Sequence, residues 1–282
     1  MSELLVVEDL TVTFPTTRGP VDVVQGVSFT VGRDETVGIV GESGSGKSMT
    51  SLAIMGLLPK GATTRGSIRL NGTELLGRPD RELRRLRGDQ MSMIFQDPLS
   101  SLNPYYTVGL QIEEMYRAHR GGTRRAAREV AIRALGHVGL PEPERRVDYY
   151  PHQFSGGQRQ RVMIAMALVC EPALLIADEP TTALDVTVQA QILRLLAGLQ
   201  RESGTGMVFI THDLAVISSI ATRVLVMRRG EQVEYGTAEQ IFAEPEHEYT
   251  RMLLESIPRI DDSLDDPPHH SLIDPLDDEV IL

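Results

Sequence analysis

"TVGIVGESGSGKS", residues 36–48, contains the most specific pattern in the sequence. Residues 36–40 are a short apolar run that predicts a buried strand, and residues 41–48 fit the pattern G-x-x-x-x-G-K-[ST] in full. A helix is predicted over residues 48–58, ended by Pro59. A glycine loop that follows a strand and opens a helix is the context in which this pattern binds phosphate groups. The sequence therefore predicts a nucleotide-binding loop.

Each part of this loop has its own predicted role. The backbone N–H groups of residues 43–48 can surround the β-phosphate at the amino-terminal end of a helix, where the helix dipole favours anions. The ammonium of Lys47 adds positive charge beside the β- and γ-phosphates, and the hydroxyl of Ser48 is available to Mg²⁺. The loop residues predicted to bind the nucleotide are Gly41, Ser43, Gly44, Ser45, Gly46, Lys47 and Ser48.

The composition of the 282-residue chain limits the classes of protein to which it can belong. Its hydrophobic content of 41% is ample for a core. The net charge of −11 is uneven, because residues 259–282 carry −7 and residues 1–258 carry −4. A near-neutral body argues against a broad nucleic-acid-binding face, so no nucleic-acid partner is predicted.

Cysteine content and hydrophobic runs narrow the choice further. Cys170 is the only cysteine, which excludes an intramolecular disulfide and any multi-cysteine metal or iron–sulfur site, and it is predicted to be a small buried side chain. The amino terminus lacks the basic region and cleavable apolar core of a signal peptide, and no apolar stretch is long enough for a membrane span. The chain is predicted to be soluble or peripheral, so a transport role would need partner chains.

Strand and helix patterns alternate along most of the chain and predict an α/β fold. Apolar strand patterns occupy residues 4–14, 21–31, 36–40, 90–98, 173–179, 206–213 and 223–230, and helical patterns occupy residues 186–203 and 214–222. Around a phosphate loop this alternation predicts a P-loop NTPase core with a mixed, mostly parallel sheet and an antiparallel β subdomain.

The predicted organisation has an insert and a tail. A mainly helical inserted subdomain is predicted over about residues 98–170, between core segments 1–97 and 171–235, and a carboxy-terminal extension follows over residues 236–258. Residues 259–282 are acidic and predicted to be disordered. Within this tail, His269 and His270 could bind a metal or could belong to a solvated segment.

Three candidate catalytic residues follow strands. In "ALLIADEP", residues 173–180, Asp178 is predicted to face Mg²⁺ through a coordinated water, and Glu179 to orient the water that attacks the γ-phosphate. His212 could contact the γ-phosphate as charge builds on it, although a histidine after a strand is often structural. The amide oxygen of Gln96 could reach Mg²⁺ or the attacking water. The predicted metal-binding residues are therefore Ser48, Gln96 and Asp178.

A second Ser/Gly-rich turn, "FSGGQ" at residues 154–158, opens another predicted helix. Its hydroxyl and N–H groups would form a second anion-binding helix end. One nucleotide already has its β-phosphate enclosed by residues 43–48, so the free face of its γ-phosphate is the remaining target. A helix on a separate insert reaches that face in another chain more readily than in its own. Two chains arranged head to tail, with two ATP molecules between them, are predicted. The residues predicted to contact the opposite nucleotide are Ser155, Gly156, Gly157 and Gln158.

The order of these motifs resembles that of the ATP-binding-cassette (ABC) ATPases over roughly residues 4–235, and the resemblance implies the ABC ATPase fold. By the same resemblance Phe14 would stack on adenine, unless it is a core residue at a strand end, and Asp185 would lie on the loop that links the two active sites. A narrower similarity, over about residues 1–258, is to the oligopeptide/dipeptide/nickel importers. The segments that carry it are "VGESGSGKS" (40–48), "FQDPLSSLNP" (95–104), "YPHQFSGGQRQRVMIAMAL" (150–168), "IADEPTTALDVTVQAQIL" (176–193) and "VEYGTAEQIFAEPEHEYTRMLLESIP" (233–258).

The narrower resemblance implies a function and a set of partners. The chain would hydrolyse ATP beneath two membrane-spanning permeases, on the cytoplasmic face of the membrane, while an extracytoplasmic binding protein delivers a di- or oligopeptide. Family precedent favours a heterodimer with a second ABC ATPase, whereas the intact motifs permit a homodimer. Relatives with an iron–sulfur cluster carry cysteines in their carboxy-terminal segment, and this chain has none there, so no cluster is predicted.

Two other functions fit the same motifs. One is an ABC transporter for another substrate, such as nickel, an opine or a sugar derivative, or an exporter. The other is a soluble ABC protein that acts on DNA, ribosomes or cofactor assembly. The short gap between the two halves of the cassette and the single cassette argue against the second.

Overall fold

The computed structural model describes residues 3–97, 101–182 and 184–256. The tail 259–282, with His269 and His270, lies outside the described residues, and so does part of the predicted "FQDPLSSLNP" segment. Within the described residues, no helix is both long enough and apolar enough to cross a bilayer.

A ten-stranded mixed sheet forms the centre of the described chain. Its strands are β1 (Glu3–Thr16), β2 (Gly19–Gly32), β3 (Thr36–Val40), β4 (Thr63–Leu70), β5 (Thr73–Glu74), β6 (Met91–Ile94), β7 (Leu174–Asp178), β8 (Gly206–Ile210), β9 (Arg223–Arg228) and β10 (Glu231–Thr237). The strand order across the sheet is β5-β4-β1-β2-β10-β9-β3-β8-β7-β6.

Helices connect the strands and pack on the sheet. They are α1 (Lys47–Met55), α2 (Asp80–Leu86), α3 (Val108–Arg120), α4 (Arg124–His137), α5 (Pro143–Arg146), α6 (Gly156–Leu168), α7 (Val186–Ser203), α8 (Leu214–Ile220), α9 (Ala238–Ala243) and α10 (Glu248–Glu255), with a 3₁₀ turn at Pro151–Gln153.

The parallel part of the sheet positions the phosphate loop and the acidic pair. β3 pairs in parallel with β8 and β9, and β7 pairs in parallel with β6 and β8. Every residue of β3, β6, β7 and β8 is buried, as expected for strands covered on both faces. The carboxyl ends of these strands therefore meet at one edge, where ligands bind in open α/β sheets.

The antiparallel part contains β1, β2, β4 and β5 and is joined to the rest through one parallel pairing, between Glu231 of β10 and Gln25 of β2. The predicted mixed, mostly parallel core with an antiparallel region is confirmed. The tight turn between β4 and β5 has positive φ angles at Asn71 (48°) and Gly72 (75°), which asparagine and glycine tolerate.

Alternate residues of the central strands contribute to two hydrophobic clusters. In β7, Leu175 and Ala177 pack with the long helices, whereas Leu174 and Ile176 pack with α1 and the antiparallel strands. This alternation follows from the period of two along a strand. The helices α3, α4 and α6 share the first cluster with that face of the sheet, so the helical segment and the core form one continuous packed interior.

Several element ends differ from the sequence predictions. Helix α1 ends at Met55 rather than residue 58, because Gly56 adopts a left-handed conformation (φ 62°) that caps the helix. Strand β6 ends at Ile94, two residues before Gln96, and β7 ends at Asp178, so Glu179 lies just beyond its strand. Gln96 and Glu179 are therefore loop residues.

The phosphate loop packs directly against β9. Gly41 has φ 152°, and a Cβ added there would lie 2.1 Å from the carbonyl oxygen of Met227. Gly44 also has a positive φ (78°), but a Cβ there would meet nothing within 4 Å. Different constraints therefore require glycine at the two positions. At Gly41 there is no space for a side chain beside β9, whereas at Gly44 only the backbone conformation favours glycine.

We therefore expect Gly41→Ala to be far more destabilising than Gly44→Ala. The first should lower the free energy of unfolding by about 3 kcal/mol or more, since the clashing atom belongs to the backbone. The second should cost about 1–2 kcal/mol, the strain of a left-handed alanine. Urea unfolding measures both changes, and equal losses would contradict the packing of Gly41 on β9.

Candidate active site

Lys47, at the first position of α1, is 5% exposed. Its Nζ donates to the carbonyl oxygens of Gly41 and Glu42, both at 2.7 Å, and to Ser45 Oγ at 3.4 Å. Burial lowers the pKa of the Lys47 ammonium, and the acidic side chains of Glu179, Asp178 and Glu42 oppose that change. The loop therefore encloses a cation whose hydrogen bonds go to two carbonyls and one hydroxyl of the loop itself.

Neighbouring strands fix the rest of the loop. Gly230, in the turn between β9 and β10, donates its N–H to the carbonyl of Ser45 at 3.1 Å. Gly46 has φ 98°, and a Cβ there would lie 2.6 Å from the carbonyl oxygen of Val23 in β2. Both the β9–β10 turn and strand β2 of the antiparallel region therefore contact the backbone of the loop.

Asp178 at the end of β7 faces the start of α1. Ser48 Oγ donates to its Oδ1 at 3.2 Å and Ser51 Oγ to its Oδ2 at 3.5 Å. The residue is 6% exposed, and burial raises the pKa of its carboxyl group, with the nearby charge of Glu179 acting in the same direction. The Ser48 hydroxyl and the Asp178 carboxylate are oxygen donors of the kind that Mg²⁺ prefers.

Glu179 is the point at which the loops after three parallel strands converge. Its Oε2 accepts from Gln96 Nε2 and from Thr182 Oγ1, both at 2.8 Å, and its Oε1 lies 3.4 Å from His212 Nδ1. Its backbone has φ 46°, an uncommon conformation for a glutamate, and its N–H donates to the carbonyl of Ile210 at 2.9 Å. The structure thus brings Gln96, Glu179 and His212 together, with Asp178 adjacent in sequence.

The second Ser/Gly-rich turn is built as a helix end. Ser155 caps α6: its Oγ accepts from Gln158 N, and its own N–H donates to Gln158 Oε1. Gly157 packs against α7, where a Cβ would lie 2.6 Å from Val188 Cγ1. Asp185 caps α7 by accepting from Val188 N at 2.9 Å. Gly156 is the first residue of α6, near Leu184.

Not every predicted site residue belongs to this cluster. Among the described residues, no hydrogen bond joins the turn at residues 155–158 to the loop at residues 41–48. Phe14 lies in β1 opposite Val21 and packs, half-buried, against the hydrophobic cluster of the antiparallel region. The structure therefore forms one compact group around Lys47, Asp178 and Glu179.

Sequence reasoning missed three residues that contact this group. Ser51 and Thr182 each lie three positions after a predicted site residue, a spacing that could have indicated them. Tyr249 could not have been found in this way, because it accepts a hydrogen bond from the backbone N–H of Glu42, 207 positions away.

Comparison with known proteins shows which families and proteins the chain resembles. Residues 24–182 match the family model described as "ABC transporter", and residues 233–275 match "Oligopeptide/dipeptide transporter, C-terminal region". The chain is 55% identical over 258 residues to the oligopeptide transport ATP-binding protein OppD of Salmonella typhimurium, covering 92% of this chain and 77% of that protein. It is 52% identical over 256 residues to the dipeptide transport ATP-binding protein DppD of Haemophilus influenzae, covering 90% and 78%.

The fold is also similar to that of a solved structure. The ATP-binding cassette MJ0796, described as a dimeric post-hydrolysis state bound to ADP and Pi, superposes with a TM-score of 0.73 at 30% identity. The match covers 83% of this chain and 98% of that one. The family resemblance and the fold class predicted from the sequence are therefore confirmed.

We expect the buried, ionised carboxylate of Asp178 to lower the free energy of unfolding of the nucleotide-free protein. Because burial raises its pKa, the carboxyl group favours folding when protonated, and that contribution is lost as pH rises through the raised pKa. Asp178→Asn should therefore raise the melting temperature at pH 8 by roughly 2–4 °C, with a smaller gain at pH 4, near the ordinary pKa of an aspartate. Thermal unfolding at the two pH values measures this difference.

Asp185→Asn is the matched control, since Asp185 is an exposed helix cap and asparagine also caps helices well. Its melting temperature should stay within about one degree of the wild type. A lower melting temperature for Asp178→Asn at pH 8 would show that the carboxylate stabilises the empty site.

Proposed function

This chain belongs to the ABC transporter family and is an ATP-hydrolysing member of it, and we propose that it powers the import of di- and oligopeptides through membrane-spanning partner chains. The observation that carries the peptide assignment is the match of residues 233–275 to the carboxy-terminal region of oligopeptide and dipeptide transporters. High identity to relatives named for oligopeptide and dipeptide transport supports it.

In the proposed mechanism, the loop at residues 41–48 binds the phosphates of ATP. Lys47 is already held in the loop by the carbonyls of Gly41 and Glu42, so its charge is in place before the nucleotide arrives. When phosphate oxygens enter, the ammonium exchanges these neutral acceptors for charged ones, which form stronger hydrogen bonds. Phe14 is proposed to stack on the adenine base.

Ser48 and Asp178 are the residues proposed to hold Mg²⁺, with Gln96 as a further candidate ligand. The 3.2 Å approach of Ser48 Oγ to Asp178 Oδ1, two oxygen atoms beside the start of α1, supports this assignment. When bound, the ion would neutralise charge on the β- and γ-phosphate oxygens and orient them. It would also offset the charge of the buried Asp178 carboxylate.

Glu179 is the residue proposed to orient the attacking water. The hydrogen bonds from Gln96 and Thr182 to one carboxylate oxygen fix the rotamer and leave the other oxygen on the side of His212. A carboxylate held in this way can accept a hydrogen bond from water and align it with the γ-phosphate. His212 is proposed to stabilise the charge that develops there.

We assign the turn at residues 155–158 to the nucleotide of a partner ATPase. It has no hydrogen bond to its own phosphate loop among the described residues, and the related cassette MJ0796 is described as dimeric. The start of α6 would present Ser155 and the glycine N–H groups to the γ-phosphate across the interface. Asp185, at the start of α7, would lie between the two sites. The partner is a second ABC ATPase or another copy of this chain.

The proposed units follow the sequence division into a core (residues 1–97 and 171–235), a helical insert (about 98–170) and an extension (236–258). Closure of the ATPase pair would move the insert together with Gln96 and transmit that motion to two permeases. An extracytoplasmic binding protein would deliver the peptide, the ATPase would act at the cytoplasmic face of the membrane, and neither an iron–sulfur cluster nor nucleic acid has a part in this scheme.

Glu179→Gln should reduce ATP turnover about 100-fold or more, because the amide cannot accept the proton of the attacking water. ATP-dependent association with the partner ATPase should persist, since the amide removes charge and keeps the shape. Phosphate release by the assembled transporter measures the first effect, and size-exclusion chromatography with ATP measures the second.

Glu202→Gln makes the same chemical change at an exposed position of α7 and should leave turnover within about twofold. In cells whose own copy is replaced by each variant, uptake of a radiolabelled tripeptide should fail with Glu179→Gln and continue with Glu202→Gln. Unchanged tripeptide uptake in a variant that has lost ATP turnover would refute the import proposal.

Ser155→Arg should leave ATP binding by the isolated chain unchanged yet lower turnover of the assembled transporter about 100-fold, because the bulky cation blocks closure over the opposite nucleotide. Thr123→Arg is the control: Thr123 also caps an insert helix, α4, through its side chain. It should lose a cap without losing turnover. Weaker ATP binding by isolated Ser155→Arg would mean that this turn serves its own nucleotide.

A further inference from the structure

We propose that Tyr249, in the carboxy-terminal helix α10, is a positioning residue for the phosphate loop, so that the extension 236–258 sets how well the loop retains its nucleotide. This inference rests on the proposed role of the loop in ATP binding. It adds a residue from outside the loop, the acidic pair and the opposite-site turn.

The first observation is a contact between two segments that lie 207 positions apart in the sequence. The hydroxyl of Tyr249 accepts a hydrogen bond from the backbone N–H of Glu42 at 3.2 Å, and Tyr249 is 1% exposed. The guanidinium of Arg228, at the end of β9, lies 4.7 Å from the centre of the tyrosine ring. Burial raises the pKa of Tyr249, so the hydroxyl stays protonated at neutral pH.

The second observation concerns the peptide group that Tyr249 contacts. The N–H of Glu42 and the carbonyl of Gly41 belong to the same planar unit. Lys47 Nζ donates to that carbonyl at 2.7 Å, while Tyr249 accepts from the N–H. One peptide group of the loop is thus held on both sides, by the lysine within the loop and by the tyrosine of the extension.

Hydrogen bonds hold the segment that leads into α10 on β10, so Tyr249 can act as a fixed support. The carboxylate of Glu234 in β10 accepts from the backbone N–H groups of Glu246 at 2.9 Å and His247 at 3.2 Å. His247 caps α10 by accepting from Tyr249 N through Nδ1 at 3.0 Å. Hydrogen bonds to β10 therefore hold the residues immediately before Tyr249, so the position of the tyrosine relative to the sheet is fixed.

Nucleotide binding should affect these two hydrogen bonds differently. When Lys47 turns to phosphate oxygens, the Gly41 carbonyl loses its ammonium donor. The hydroxyl of Tyr249 then becomes the remaining side-chain hold on this peptide group. Removing the hydroxyl should therefore destabilise the nucleotide-bound loop more than the empty one, and only such a difference between states can change affinity.

Tyr249→Phe tests the proposal, because it keeps the buried ring and removes only the hydroxyl. We expect the Kd for ADP and for the β,γ-imido analogue of ATP to rise about three- to tenfold, the effect of one lost hydrogen bond. In the assembled transporter, KM for ATP should rise by a similar factor while kcat stays near the wild-type value.

Tyr235→Phe is a closely matched control. Tyr235 in β10 also places its hydroxyl on backbone groups, those of Thr30, and also lies beside an arginine, Arg223 at 5.5 Å. It should leave nucleotide affinity within about twofold. Equal weakening by both variants would mean a general loss of stability and would overturn the assignment.

Hydrogen exchange of the Glu42 amide gives a readout that does not depend on nucleotide. In nucleotide-free protein, Tyr249→Phe should speed exchange at this amide and Tyr235→Phe should not. If the wild type bound no nucleotide while exchange still responded to Tyr249→Phe, the proposed function would fail and the contact would stand. If the wild type bound nucleotide and Tyr249→Phe changed neither exchange nor affinity, the positioning role would be wrong.

Discussion

The ammonium of Lys47 is the charge around which the site is arranged. It is buried, and its hydrogen bonds go to two carbonyls and one hydroxyl of its own loop. A cation removed from water needs compensation, which the negative charges of Glu179, Asp178 and Glu42 provide. The tight backbone of the loop, the position of the acidic pair and the burial of the surrounding strands all serve to hold this charge where phosphates can reach it.

The two acidic residues of the site, Asp178 and Glu179, also have unfavourable features, a buried carboxyl group and an uncommon backbone conformation. Asp178 is buried with a raised pKa, and Glu179 has an unfavourable backbone conformation immediately after its strand. Such features persist only where the surrounding structure holds them in place, and they are concentrated at functional sites. Here the hydroxyls of Ser48 and Thr182 and the amide of Gln96 do the holding. The site thus combines a buried carboxyl group with an uncommon backbone conformation at the carboxyl end of β7.

The two hydrophobic clusters explain how distant segments reach one site. One cluster joins the helical segment to a face of the sheet and includes Tyr249, and the other joins the antiparallel strands to α1. The phosphate loop contacts Met227 of β9 and, through Gly46, Val23 of β2, which belong to the second cluster. It meets the first cluster at Tyr249, whose hydroxyl accepts from the backbone N–H of Glu42.

Local sequence patterns are sufficient to predict the phosphate loop, the buried strands that flank it, and the types of residue at the candidate catalytic positions. These features are local: a glycine pattern between a strand and a helix has one common solution, and apolar runs mark covered strands. The direct contacts of Gln96 and His212 with Glu179, across 83 and 33 positions of sequence, depend on the fold, because they form only when β6, β7 and β8 lie side by side in the sheet. The tertiary structure alone decided that Tyr249 supports Glu42, since a hydrogen bond between residues 207 positions apart depends on strand order and helix docking, which no local pattern encodes.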